Sequence, residues 1–126
     1  MGDADPRRAA GGARPLTDYK VLDLTRVLAG PTCARTLASY GAQVIRIGAR
    51  DLPHVPLFVA ETGLGKRSAH VDLKTDTGRA KLRELIGEAD VFSQGYRTGA
   101  LERQGFGVAE VVRAKPGIVY LSLIHI

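Results

Sequence analysis

The chain has 126 residues, with 18 Lys and Arg against 13 Asp and Glu and a formal charge of +5. Its 44% hydrophobic and 25% charged residues are those of a globular protein and exclude wholesale disorder, and the length suits one small domain able to bury about two-thirds of its unfolded surface. A single cysteine, Cys33, excludes an internal disulfide and any cysteine-cluster metal site.

Residues 1–15, MGDADPRRAAGGARP, offer almost nothing to a core and read as a flexible basic tail. They lack the apolar stretch of a secretory signal, and no run approaches the ~20 apolar residues that cross a bilayer. A cytoplasmic protein with no membrane partner is expected. Tyr19–Leu24 (YKVLDL) is apolar and β-rich, the pattern of a buried strand. Thr25–Gly30 is a connection, and Pro31 suits a first helical position. Cys33, Leu37 and Tyr40 recur at helical spacing before Gly41 stops the helix, which makes Cys33 a buried structural thiol rather than a nucleophile. Gln43–Ile47 (QVIRI) is the next strand. Strand, helix and strand make a right-handed βαβ crossover with parallel pairing.

Gly48–Gly65 reads as irregular, with Pro53 and Pro56 on either side of His54. Ser68–Leu73 is extended. Thr75 or Asp76 can cap a helix whose stripe is Leu82, Leu85, Ile86 and Ala89. Val91–Ser93 is a short strand. Thr98–Arg103 and Val108–Ala114 are short helices parted by Gly105 and Gly107, and Ile118–Leu123 (IVYLSL) is the last strand. Alternating strands and helices imply an α/β fold, a Rossmann-like, mostly parallel sheet with flanking helices.

In such a sheet, ligands bind where strand carboxyl ends lead into helices. The first of these loops, Thr25–Pro31, has one glycine, so neither G-x-G-x-x-G nor G-x-x-x-x-G-K-S/T is present. That argues against a nicotinamide enzyme and a P-loop NTPase, and leaves Gly30-Pro31 as a tight helix start. Lys66, Arg67 and Lys74 could share one anionic ligand, although solvated strand ends are the simpler account. Gln94-Gly95-Tyr96-Arg97 follows a strand directly. There Tyr96 could stack on a flat ring while Arg97 meets negative charge. His54, His70 and His125 are too scattered to ligate a metal. Asp23, Asp72 and Asp90 are explained as well by local hydrogen bonding as by acid–base work. The basic balance suits phosphates, but the seven Tyr and Phe do not interleave with basic residues as a nucleic-acid surface requires.

Five blocks in order, VLDLTRVLAGP, GAQVIRI, GKRSAHVDLKT, ADVFSQGYRTGALERQGFG and KPGIVYLSL, resemble the amino-terminal portion of class III CoA-transferases, a family that also holds the α-methylacyl-CoA racemases. The resemblance runs from about Leu16 to Leu123. It implies part of a large Rossmann-like domain, whose small domain and remainder lie in further sequence, and a parent that is an interlocked homodimer. It also implies acyl-CoA and a carboxylic acid as partners, with the CoA thioester as substrate rather than a bound cofactor, and no metal. Carried over by motif, Leu28 and Ala29 line the adenine and pantetheine side of CoA. Val71, Asp72, Leu73 and Lys74 form a second contact run, Gly95, Tyr96 and Arg97 a third, and Arg103 meets phosphate. No catalytic residue is expected here: the family's aspartate, which attacks the thioester to give a mixed anhydride and then an aspartyl-CoA thioester, follows IVYLSL. Isolated, this portion should be inactive. Racemase-like chemistry and a non-catalytic nucleotide- or RNA-binding module are the alternatives.

Two departures from the pattern stand out. Gly48 and Ala49 follow the second strand where the family places Glu and then a basic residue or proline, with Arg50 one position late. Leu28 stands where formyl-CoA-type transferases often carry Gln, which disfavours a formyl or oxalyl substrate. The last residues, 124–126, read as a non-native end. Leu121–Ile126 back-translates as CTG TCT CTT ATA CAC ATC, the recognition end of a transposase used in sequencing libraries, so the reading frame is expected to continue in the true gene.

Overall fold

The computed structural model describes residues 14–49 and 56–124. Strands β1 (Lys20–Leu24), β2 (Gln43–Gly48), β3 (Lys66–His70), β4 (Val91–Gln94) and β5 (Val119–Ser122) form one sheet in the order β3-β2-β1-β4-β5. All four pairings are parallel. Between the strands run α1 (Ala29–Ser39), α2 (Pro56–Thr62), α3 (Asp76–Ile86) and α4 (Val108–Ala114). This is the expected α/β sheet with flanking helices.

Side chains alternate along each strand, so the sheet has two faces of different character. On one, Leu22, Leu24, Ile47 and Phe92 meet Leu82 and Ile86 of α3, Val111 of α4 and the connecting residues Leu101 and Phe106 in the larger core. The Phe92 and Tyr120 rings stack there at 5.2 Å. On the other, Val21 and Val44 pack beneath Ala34 and Ala38 of α1.

Several boundaries differ from the sequence expectation. The buried face of α1 is Gly30, Pro31, Ala34 and Ala38, whereas Cys33 and Leu37 are half-buried and Tyr40 is 56% exposed. Small residues win that face because the helix lies close to the sheet: a Cβ on Gly30 would sit 2.3 Å from that of Thr25. Gly48–Gly65 is not wholly irregular, since α2 starts at Pro56 and Thr62 donates back to the Phe58 carbonyl at 2.6 Å. Pro53, His54 and Arg50 lie outside the described residues. Thr98–Arg103 yields only a single 3-10 turn, Glu102–Gln104, because Gly99 and Gly105 take left-handed φ values of +83° and +88°. Arg14 opens a hydrogen-bonded turn with Thr17. Residues 1–13, His125 and Ile126 are also outside the description.

The start of α3 is built as expected, with Thr75 Oγ1 accepting from the Gly78 amide at 3.0 Å. A Cβ at Gly78 would lie 1.8 Å from the Asp72 carbonyl oxygen. Alanine gains up to ~1 kcal/mol of helix propensity, but displacing a main-chain carbonyl costs about 1–3 kcal/mol or more. We therefore expect Gly78→Ala to lower the melting temperature by several degrees in a thermal scan. Tyr120 supplies a second test. Burial, reinforced by the charge of Glu102, raises its pKa above the ordinary 10.0. Its neutral form is thus favoured by folding, a contribution complete below the ordinary value and lost as pH climbs through the raised one. Denaturant titrations should show Tyr120→Phe less stable than the parent at about pH 8, with the gap narrowing above about pH 10.

Candidate functional site

The chain order places a topological switch between β1 and β4: one strand leads away to β2 through α1, while the other leads away to β5 through α4. Their carboxyl ends open onto the 25–28 and 95–98 loops, which lie side by side. A Cβ at Gly95 would be 3.9 Å from the Thr25 Cα. In doubly wound sheets this is the crevice where ligands settle.

Beneath the first loop lies a buried ion pair. Lys66 Nζ donates to Asp23 Oδ2 and to the Pro31 carbonyl, each at 2.8 Å. The two side chains are 2% and 0% exposed. The other carboxylate oxygen of Asp23 accepts from the Thr25 amide at 3.0 Å and from the Thr25 hydroxyl. Neither sequence account of Lys66 therefore holds: it is not a solvated strand end, and it is not open to an anionic ligand. Arg67, one residue on, faces the opposite side of the sheet. Asp23 is likewise committed on both oxygens, which removes it as a nucleophile.

Above this pair, a cleft of about 240 Å³ runs across the carboxyl ends of β1, β2 and β3. Arg26, Arg46, Ser68, His70, Val59 and Tyr96 are among its walls, and no carboxylate is among its described lining residues. Of the ten residues expected to contact CoA, Tyr96 lines this cleft. Leu28 and Ala29 sit exposed at the start of α1, where no side chain caps the helix. Gly95 and Arg97 flank Tyr96, whose amide donates to Gln94 Oε1 at 2.7 Å while Gln94 Nε2 donates to Ser122 Oγ at 2.9 Å. Tyr96 also packs partly against the larger core. Val71 and Leu73 are buried in that core, so they would offer a ligand only main chain. Between them Asp72 accepts from the Lys74 amide at 2.9 Å, which makes it an organiser of the turn into α3. Arg103 is exposed beside Gly99. Arg46 and His70 were missed as site residues. Arg46 read only as part of the QVIRI strand and His70 only as a histidine with no metal-ligand neighbours, and the shared register (Gly48 opposite His70, Arg46 opposite Ser68) is what brings them to one wall.

The pattern of CoA-transferase family III matches residues 16–124. The chain belongs to that family. It is 40% identical over 120 residues to an acetyl-coenzyme A transferase of Hypoxylon pulicicidum, covering 92% of this chain and 20% of the relative. With a formyl-CoA:oxalate CoA-transferase of Streptomyces coelicolor it shares 35% identity over 122 residues, 88% of this chain and 30% of that one. The crystal structure of a CaiB/BaiF family protein from Brucella suis superposes with a TM-score of 0.78 at 31% identity, over 87% of this chain and 33% of that one. The chain thus spans a fifth to a third of the length of these family members. Among its described residues, no helix is long and apolar enough to cross a membrane, and no group of His, Cys, Asp and Glu could hold a metal ion.

Removing one partner of a buried pair strands the other charge in a medium that solvates it poorly, at a cost of about 3–5 kcal/mol. Lys66→Met alone should therefore destabilise this family domain severely, seen as a fall in the denaturant midpoint of its unfolding.

Proposed function

We propose that this chain is the CoA-binding portion of a cytoplasmic acyl-CoA transferase. The parent would move CoA between an acyl-CoA and a carboxylic acid through an aspartyl-CoA intermediate. The observation that carries the reading is the cleft at the strand carboxyl ends, with Arg26, Arg46 and His70 among its described walls, in a chain of this family. Phosphates gain most from guanidinium groups in such a recess, because their bonds are charge-assisted and partly shielded from water. Leu28, Ala29, Gly95, Tyr96 and Arg97, on the two loops at the switch, would take the pantetheine and adenine. Asp72 and Lys74 would meet CoA through side chains and Val71 and Leu73 through main chain, with Arg103 on phosphate.

The nucleophilic carboxylate would come from sequence outside this chain. Among the described residues, Asp23 is bonded to Lys66 and Thr25 and Asp72 to the Lys74 amide, which supports this. The chain would therefore bind the substrate without transferring it. In the parent, an interlocked homodimer, the aspartate would attack the thioester carbonyl and release CoA thiolate. The thiolate would then attack the aspartyl carbonyl of the resulting mixed anhydride and release the donor acid. The acceptor carboxylate would reverse both steps, displacing the thiolate from the aspartyl-CoA thioester so that it takes the acceptor's acyl group and frees the aspartate.

Calorimetric titration of the chain with CoA, beside dephospho-CoA and pantetheine, tests the reading. CoA should bind more tightly than either lesser ligand, Arg46→Gln and Arg97→Gln should each weaken it by about tenfold, and acetyl-CoA incubated with the chain and a carboxylic acid should remain unchanged. Equal affinity for CoA and pantetheine would remove the phosphate-binding role of the basic wall, and no binding at all would end the proposal.

A further inference from the structure

The Lys66–Asp23 pair joins two strands that are not neighbours. β2 lies between them, so the lysine side chain crosses toward a strand about 10 Å away, two strand spacings. Its ammonium ends below the first turn of α1, against the Pro31 carbonyl. That is an unfavourable place for a cation, because the helix dipole is positive at its amino end. Nor does such a pair contribute much net stability, since buried ion pairs can often be exchanged for apolar groups without loss. What the pair does supply is geometry. Asp23 holds Thr25 through amide and hydroxyl, and Lys66 holds Pro31, so one buried unit tethers both ends of the 25–31 loop. Between the tethers Val27 adopts a left-handed φ of +73°, the only positive value at a non-glycine residue among those described. For a β-branched side chain that conformation is strained, and it persists only where the surroundings over-determine it.

We infer that Lys66 is a positioning residue for CoA: from beneath the sheet surface it sets the conformation of the 25–31 loop, and through that loop the placement of Leu28 and Ala29. The inference rests on the CoA reading above for its ligand, but its structural half can be read without any ligand.

The test removes both charges together, so that none is left buried alone. Asp23→Asn with Lys66→Met keeps an acceptor for Thr25 and deletes the tether to Pro31. Asp23→Asn with Lys66→Gln is also neutral but retains an N–H donor at that end. Amide exchange of the 126-residue chain should show residues 25–30 exchanging at least about tenfold faster in the Met form, with β2 and α3 unchanged. The Gln form should recover part of that protection. CoA affinity should follow the same order, falling about tenfold or more in the Met form while the melting temperature moves by less than about 5 °C. Should the Met form not fold, the Gln form against the parent carries the same comparison. A folded neutral form whose loop exchanges as slowly as the parent's, or binds CoA as tightly, overturns the inference. A parent chain that fails to bind CoA defeats the functional reading alone, and loop exchange then decides whether Lys66 sets the loop.

Discussion

An ammonium group with no water around it must be given oxygen atoms by the protein, and in this domain two are found for Lys66: a carboxylate on β1 and the carbonyl of Pro31 on α1. Much of the surrounding architecture is compatible only with that requirement. Helix α1 must lie low enough for Pro31 to reach the ammonium, which forces glycine and alanine onto its inner face. Low seating in turn brings Gly30 against Thr25, whose own bonds return to Asp23. Strand β1, strand β3, helix α1 and the loop above them are thereby referred to one buried point.

The two faces of the sheet divide the labour. Beneath α3 and α4 the contacts are apolar, with Phe92, Phe106, Leu82 and Ile86 essentially without solvent contact, and they supply the main hydrophobic drive to fold. The α1 face is thinner and mixes Val21 and Val44 with Asp23 and Lys66. A polar pair on a thin layer contributes little to net stability and much to direction, and Arg46, Ser68 and His70 of the cleft lie on the same face of the sheet as the pair. Two of the runs that the CoA-transferase resemblance selects, 28–29 and 95–97, lie on the loops beside the switch between β1 and β4, and the 71–74 run lies after β3 at the sheet edge.

The fold was legible because its signals are local. Val108–Ala114 has the bounds expected of it, Thr75 caps as expected, and the apolar strands pair in parallel. The errors arose where a tertiary contact outranks periodicity. Cys33, Leu37 and Tyr40 have helical spacing, yet the close approach of α1 gives the buried face to smaller residues. Motif order marked the loops after β1, β3 and β4, and of the contact residues named there Tyr96 lines the cleft. Lys66 was opaque: a lysine after glycine at a strand start gives no local sign that its partner is an aspartate 43 residues earlier. Arg46 and His70 were opaque for a similar reason, since only strand register makes them neighbours.

That sequence separation has a kinetic side. Contacts within α3 or in the β1–α1–β2 unit close short loops and can form early. The Lys66 bond needs β2 beside β1 and β3 beside β2, so it follows the β1–α1–β2 unit in assembly. Interactions absent from the folding transition state act on the rate of unfolding rather than of folding. The brace under α1 is thus a latch set once β1, β2 and β3 are paired, and the little it contributes to stability falls on how that part of the sheet opens rather than on how quickly it forms.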